Sequence, residues 1–336
     1  MFSTDLPKSG TGVGQPPGRP LSPISPKLWK TPPSPFVISI GNIAFGGRGK
    51  TPVTALIARM LVEAGERPAI LSRGYGRRIN APGVVVVSDG THILADLDRA
   101  GDEPLMLARD VPGAAVLVCP ERAIAGALAT KVLGATVLVL DDGFQHQMRR
   151  DVDVVLVAPE DLRGRRAPFG QLRASAASLD AADALIVDGD LDAVARQARV
   201  ARLPRFQLRR QIAGIALYGH SGDVTSGTDA AYLAVAGIAR PERFQAALVA
   251  AGVPVARLLA FRDHHRYTAR DLRAIADAVR AAGAAGVVTT AKDAVRLAPL
   301  RPWPFALAVA RLDVAVEPGD AFRQFVIDRL TAVRSR

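Results

Sequence analysis

A single cysteine in 336 residues, Cys119, leaves no partner for an internal disulfide and no ligand set for a cysteine-based zinc cluster. That usage fits a reducing compartment, and five histidines argue further against zinc. Aromatic residues make up only 5% of the chain, which speaks against the base-stacking arrays of single-strand binders, so no nucleic-acid partner is expected. No run approaches the roughly 18 apolar residues of a membrane span. No basic start followed by an apolar stretch marks a secretory signal either. The expected location is the cytoplasm, with any membrane contact peripheral and made from the cytoplasmic side.

An apolar fraction of 49% and a charged fraction of 22% describe a globular chain with a sizeable core, long enough for two domains. The formal charge of +11 suggests an anionic partner: nucleotide, phosphorylated substrate, acidic lipid surface or nucleic acid. Residues 1–35 are crowded with proline among glycine, serine and lysine, a composition that builds no core and predicts a disordered or extended leader.

The stretch FVISIGNIAFGGRGKTPVTALIARM, residues 36–60, organises the rest. Phe36 to Ile40 is a short β-rich run, and Val53, Leu56, Ile57, Met60 and Leu61 recur at the spacing of a helix face. Between them lies Gly46-Gly47-Arg48-Gly49-Lys50-Thr51, whose glycines let backbone N–H groups turn around a phosphate at a helix N-terminus. In such a P-loop the lysine reaches the β- and γ-phosphates of ATP and the threonine hydroxyl takes Mg²⁺. The strict pattern has glycine six residues before the lysine; this chain has Ala44. An ordinary glycine-rich βα turn is the competing reading, and strand, helix and Pro52 in the first helical turn favour the phosphate loop.

Apolar runs then alternate with helical patterns, and Val137–Leu140 and Val154–Val157 are apolar throughout, as in strands covered on both faces of a mainly parallel sheet. The predicted fold is α/β: a P-loop NTPase-like nucleotide-binding domain over 36–204, an extended linker over 205–230, and a smaller α/β domain over 231–336 that closes the active-site cleft. The run TVLVLDD ends in Asp141 and Asp142, where an acidic strand end beside a phosphate loop positions Mg²⁺. One of the two is expected near the metal and the other turned elsewhere. Arg73, Tyr75 and Arg77 lie in a turn beyond the second strand, a candidate anion site at the carboxyl edge of the sheet. Gly101-Asp102-Glu103-Pro104 reads locally as a helix cap. In Phe261-Arg262-Asp263-His264-His265-Arg266-Tyr267, the Asp–His neighbours suit a general base, half of a metal site, or a solvated turn before a helix capped by Thr268. Lys292 adds a cation beyond the following strand.

Taken in order, SIGNIAFGGRGKTPVT (39–54), LSRGYGR (71–77), GDEP (101–104), LDDGFQH (140–146), RDVDVVLV (150–157), AGIARPERF (236–244), FRDHHRY (261–267) and TTAKDAVRL (289–297) resemble the tetraacyldisaccharide 4′-kinase family, the lipid A 4′-kinases of Gram-negative bacteria. The family's own loop lacks the first glycine, which accounts for Ala44. The resemblance implies ATP-dependent phosphorylation of the 4′-hydroxyl of a tetraacylated glucosamine disaccharide 1-phosphate. It places the family's catalytic Asp–His pair on Asp102 and His264, gives Lys50 and Thr51 the phosphates and Mg²⁺ with Asp141 and Asp142, and matches Arg173 to an arginine of the family's Pro-Ala-Gly-Pro-Leu-Arg-Glu loop. Three features depart from the family. The proline-rich leader, with only Leu28-Trp29-Lys30 as an apolar anchor, stands where relatives carry an amphipathic helix; Ala174 stands where that loop has its glutamate; and Ala291 replaces a glutamate before Lys292-Asp293. The alternative of a P-loop regulatory or nucleic-acid-binding ATPase rests on the charge alone.

Overall fold

A computed structural model describes residues 35–46, 48–80, 82–218 and 230–335. The expected leader up to residue 34, the Leu28–Lys30 anchor, Gly47 and residues 219–229 of the expected linker lie outside the described residues. Pro35–Arg336 forms one compact unit.

The strands are β1 (Phe36–Asn42), β2 (Pro68–Ser72), β3 (Val85–Asp89), β4 (Ala115–Val118), β5 (Val137–Asp141), β6 (Val152–Val157), β7 (Ala184–Val187), β8 (Arg205–Leu217), β9 (Tyr232–Ala236), β10 (Val255–Ala260), β11 (Val287–Thr289) and β12 (Leu307–Glu317). The helices are α1 (Lys50–Glu63), α2 (Leu97–Ala100), α3 (Asp102–Asp110), α4 (Arg122–Lys131), α5 (Leu191–Ala195), α6 (Pro241–Ala250), α7 (Ala269–Ala281), α8 (Ala291–Leu297) and α9 (Gly319–Arg334). All twelve strands join one sheet in the order β10-β9-β11-β12-β8-β7-β6-β1-β5-β2-β4-β3. Only the β3–β4 and β8–β12 pairs are antiparallel. The continuous apolar strands are buried as their sequence requires: β1, β5, β6 and β7 show no exposed residue, with α1, α3 and α9 packed on one face and α4 on the other.

The stretch expected as a linker is, over 205–217, a strand of this sheet. Phe206, Leu208, Ile212 and Ile215 are its buried positions, and it forms with β12 a long antiparallel ribbon. Likewise β12 runs to Glu317, eight residues beyond the apolar run that ends at Val309: its second half alternates, burying Val314 and Val316, and pairs with β8 along its length. Helix α9 falls in sequence within the smaller domain, yet Phe322, Val326 and Leu330 pack with Phe206 and the core of the first half.

The ribbon sets the direction of everything else. Only Arg205–Gln207, at the start of β8, pair with β7. Only Leu307–Val309, at the start of β12, pair with β11, and Ala308 and Val309 lie opposite Leu217 and Ala216 at the far end of β8. Apart from the edge strand β3, the strands of the first half run parallel to β8, and those of the second run parallel to β12. Because β8 and β12 are antiparallel, the carboxyl ends of each half-sheet point toward the other half, which is where α/β sheets present their ligand-binding loops.

Candidate functional site

The loop after β1 leads into α1 through Gly46 (φ 95°) and Gly49 (φ 84°), left-handed conformations that glycine adopts without strain. No side chain caps α1 at Gly49, so its first amides keep their donors, together with the positive end of the helix dipole, for an anion. Ala44 is buried and bridges Leu172, and the Phe45 amide donates to the Gln171 carbonyl at 2.8 Å. A glycine is thus not needed at position 44. Arg48 turns its guanidinium away to Glu160 and Asp161, so its contribution to the loop is that of its backbone.

Lys50 Nζ donates to Asn42 Oδ1 at 3.2 Å and lies 3.7 Å from Asp142 Oδ1. Burial lowers its pKa, opposed by the Asp142 charge. The two strand-end aspartates have different surroundings. Asp141, 3% exposed, accepts from Thr54 Oγ1 at 3.0 Å, and burial together with Glu103 and Asp142 pushes its carboxyl up to about 7. Asp142 is exposed, left-handed at φ 55°, and held by Arg173 Nη1 at 2.9 Å. Arg173 also donates to Asn42 Oδ1 and to the Ala44 carbonyl, which ties the 163–173 loop to the nucleotide loop. Thr51, Asp141 and Asp142 offer only oxygen, the donor set of a hard cation such as Mg²⁺. No group of three His, Cys, Asp or Glu among the described residues could hold a metal by itself, so nucleotide oxygens and water would complete the shell, as is usual for Mg²⁺.

Asp102 opens α3 behind Gly101 (φ 84°) and is 5% exposed. Its Oδ1 accepts from the Glu103 amide at 2.9 Å. Its Oδ2 accepts from Arg296 Nε at 2.8 Å and also from Arg296 Nη2, and lies 3.1 Å from His264 Nδ1. Burial would raise the pKa of this carboxyl; the hydrogen bond from His264 and the charges of Lys292 and Arg296 outweigh it, holding the group well below the usual carboxylate range. His264 sits at φ 57° in the β10–α7 turn, with Tyr75 edge-on at 5.4 Å and Lys292 Nζ 3.3 Å from its Nε2. Lys292 is itself held by Glu103 at 2.8 Å. The adjacent His265 is stacked on Phe261 and bonded to Asp271, and Thr268 caps α7, so the two histidines have separate surroundings. Glu103 acts electrostatically on both Lys50 and Asp141.

Arg73 is exposed, Arg77 donates to Asn80 at 3.0 Å, and both share with Tyr75 the turn that His264 faces. Sequence reasoning missed Arg296, which also donates to Asp293 and the Gly237 carbonyl. It missed Arg266, which crosses to Asp98 and to the Gly76 carbonyl. It missed Arg210 of the ribbon too, whose guanidinium lies against Gly49 and is held by Asp188. No local pattern distinguishes these from the other surface arginines of a basic chain.

The match to known proteins agrees with this geometry. The family model described as tetraacyldisaccharide-1-P 4′-kinase covers residues 27–331. The tetraacyldisaccharide 4′-kinase of Syntrophus aciditrophicus (strain SB) is 36% identical over 318 residues, spanning 88% of this chain and 84% of that one. The enzyme of the same name from Anaeromyxobacter sp. (strain Fw109-5) is 41% identical over 311 residues, spanning 84% and 79%. Among solved structures, LpxK from Aquifex aeolicus in complex with ATP superposes with a TM-score of 0.72 at 26% identity, covering 88% of this chain and 89% of that one. With the family model matched over residues 27–331 and relatives 36–41% identical over most of their length, the chain belongs to the tetraacyldisaccharide 1-phosphate 4′-kinase family.

Proposed function

We propose that this ATP-dependent lipid A 4′-kinase assembles its reaction centre in the cleft between the two carboxyl edges, with Asp102 and His264 as the proton-accepting pair. The observation that carries the proposal is the 3.1 Å contact between them, made by residues 162 apart in sequence and on opposite halves of the sheet. The acceptor is the 4′-hydroxyl of a tetraacylated glucosamine disaccharide 1-phosphate, and the product is the 1,4′-bisphosphate.

A sugar hydroxyl is a weak nucleophile at neutral pH. Asp102, kept ionised by Arg296, orients the His264 ring by accepting a hydrogen bond from Nδ1–H, which leaves the lone pair on Nε2. As the hydroxyl oxygen bonds to the γ-phosphorus and the bond to the β–γ bridging oxygen breaks, its proton passes to Nε2, and ADP departs. Lys292 lies at that nitrogen and gives way toward Glu103, which already holds it. Lys50 and the amides around Gly46–Thr51 hold the phosphates, and Arg73, Tyr75, Arg77 and Arg173 line the approach of the lipid head. Thr51, Asp141 and Asp142 would hold Mg²⁺, which would supply charge neutralisation for the transferring phosphates. The nucleotide half and the smaller half act as two lobes with the β8–β12 ribbon as their joint, so closure of the cleft excludes water. No helix among the described residues is long and apolar enough to cross a membrane, and the lipid is reached peripherally from the cytoplasmic face of the inner membrane.

The test is phosphorylation of the disaccharide 1-phosphate by the purified full chain with Mg-ATP. Asp102→Ala and His264→Ala should each lower turnover by about 10² to 10⁴, the usual weight of general-base catalysis, while ATP binding persists. Unchanged turnover in either variant removes that residue from the mechanism.

A further inference from the structure

We propose that the paired tip made by residues 43–46 and 163–173 is a membrane-docking surface, which inserts Phe45 and Phe169 among the lipids of an anionic bilayer. Phe169 is 84% exposed and Phe45 57%, beside the nucleotide loop. Neither is a loose end. The Phe45 amide bonds to the Gln171 carbonyl at 2.8 Å, the Arg173 amide to the Ile43 carbonyl at 2.8 Å, and the Phe169 amide to the Arg166 carbonyl at 3.0 Å. Beneath them Ile43, Ala44, Phe144 and Leu172 are buried together. The rings are thus displayed outward by a tip whose own apolar side chains are already buried.

The charge around them has one sign. Arg163, Arg165 and Arg166 are exposed, and none pairs with a carboxylate among the described residues. The nearby Glu160 and Asp161 are occupied by Arg48, and Asp142 by Arg173, whose guanidinium lies 5.8 Å from the Phe45 ring. Exposed aromatics ringed by unpaired arginines suit the boundary between acyl chains and anionic headgroups, where the rings leave water and the guanidinium groups meet phosphate. A soluble anion would leave the two rings in water. The tip is also continuous with the loop that carries Gly46 to Thr51, so docking there holds the phosphates of ATP at headgroup depth. That advantage rests on the acylated acceptor proposed above.

The experiment is co-sedimentation of the full chain with phosphatidylcholine vesicles, with and without phosphatidylglycerol. The parent should partition onto the anionic vesicles, less so as salt is raised. Phe169→Ser, and separately the pair Arg165→Ser and Arg166→Ser, should each weaken that partitioning about tenfold or more, from the loss of one inserted ring or of two charges near the surface. Their ATP-induced thermal shift and their turnover of a short-chain, soluble acceptor should stay at parental values, which shows that the fold and cradle are intact. Variants that partition like the parent overturn the proposal, whatever else on the chain holds the membrane. So does a parent that binds neutral and anionic vesicles alike, or neither. Partitioning requires no turnover, so failure of the kinase assay and failure of docking are read separately.

Discussion

Removing Arg296 is the perturbation whose consequences the structure sets most narrowly. The residue is 5% exposed, and its guanidinium reaches from α8 to α3, with two nitrogens on Asp102 Oδ2 and the third on Asp293 and the Gly237 carbonyl. Asp293 is fully buried but keeps three other donors, the Gly237 amide, Tyr267 Oη and Thr290 Oγ1, at 2.7 to 3.1 Å. Asp102 keeps only its own helix amide and His264. In Arg296→Met the burden therefore falls on Asp102. Breaking a buried pair in this way typically costs about 3–5 kcal/mol. The carboxylate can escape by binding a proton, which at pH 7 costs about 1.36 kcal/mol for each of about 3 units above an ordinary aspartate, or roughly 4 kcal/mol. The two routes agree, so the expected loss is about 3–5 kcal/mol. Its pH dependence has a definite sign. With the proton on Asp102, the folded variant binds one that the parent does not, so its deficit shrinks on acidification by up to about 1.4 kcal/mol per unit. Urea denaturation of the full chain between pH 6 and 8.5 reads both quantities. Arg296→Lys, which restores charge without the planar fork, should recover part of the stability but less of the turnover. An Arg296→Met protein within about 1 kcal/mol of the parent, with parental turnover and no added pH slope, would refute the reasoning.

Three further outcomes are expected. A Cβ on Gly41 would meet Phe144 Cβ at 2.3 Å and the Phe144 backbone nitrogen at 2.9 Å, so Gly41→Ala should destabilise by about 1–3 kcal/mol or more, as overpacking does, measured by urea midpoint at constant m. Lys50→Met should abolish the ATP-induced rise in melting temperature while leaving the unliganded protein at least as stable, since it removes a cation whose charge burial opposes. Arg334 holds Glu66 through two contacts of 2.6 Å and lowers its pKa, despite some burial. Its stabilisation is thus complete above the ordinary glutamate value and lost as pH falls through the lower folded value. Glu66→Gln should cost up to about 1 kcal/mol at pH 7 and nothing near pH 2, by parallel denaturation.

The parts legible in the sequence are those whose signal is local. Buried parallel strands such as Val152–Val157 announce themselves by being apolar throughout, and Gly46 to Thr51 by lying between a strand and an amphipathic helix. The ribbon was not legible as part of the sheet because Arg209, Arg210 and Gln211 interrupt its alternation, and its pairing partner lies about a hundred residues away. Asp102 reads as a helix cap when seen alone and does accept an amide of its own helix. Only the family resemblance gave it a second role, and the contact with His264 depends on a separation that no window of sequence spans. For the same reason nothing in KDAVRL singles out Arg296. The choice between His264 and His265 turns on backbone geometry, since a left-handed residue directs His264 to Asp102 while its neighbour stacks on Phe261.

The antiparallel joint gives the composite site a topological cause. Had the second half been reversed in place so that β12 ran parallel to β8, the carboxyl ends of β9, β10 and β11 would point away from the first half, and the turns carrying His264 and Lys292 would not face Lys50. One reversal within the ribbon turns two ordinary parallel half-sheets into facing jaws, each contributing the loops beyond its own strands. The same arrangement explains the distribution of charge across the cleft. Asp98, Asp102 and Glu103 on the first half meet Arg266, Arg296 and Lys292 on the second, pair by pair. Of these only the Arg296 pair is fully desolvated, so it should dominate the energy of the contact while the half-exposed Arg266–Asp98 pair adds little. An exchange of charge between Asp98 and Arg266 should then leave stability within about 1 kcal/mol of the parent. The equivalent exchange between Asp102 and Arg296 cannot be neutral, because Asp293 would face a carboxylate. A stability loss at the outer pair as large as at the inner one would mean that the jaws are held by surface charge rather than by the buried clamp.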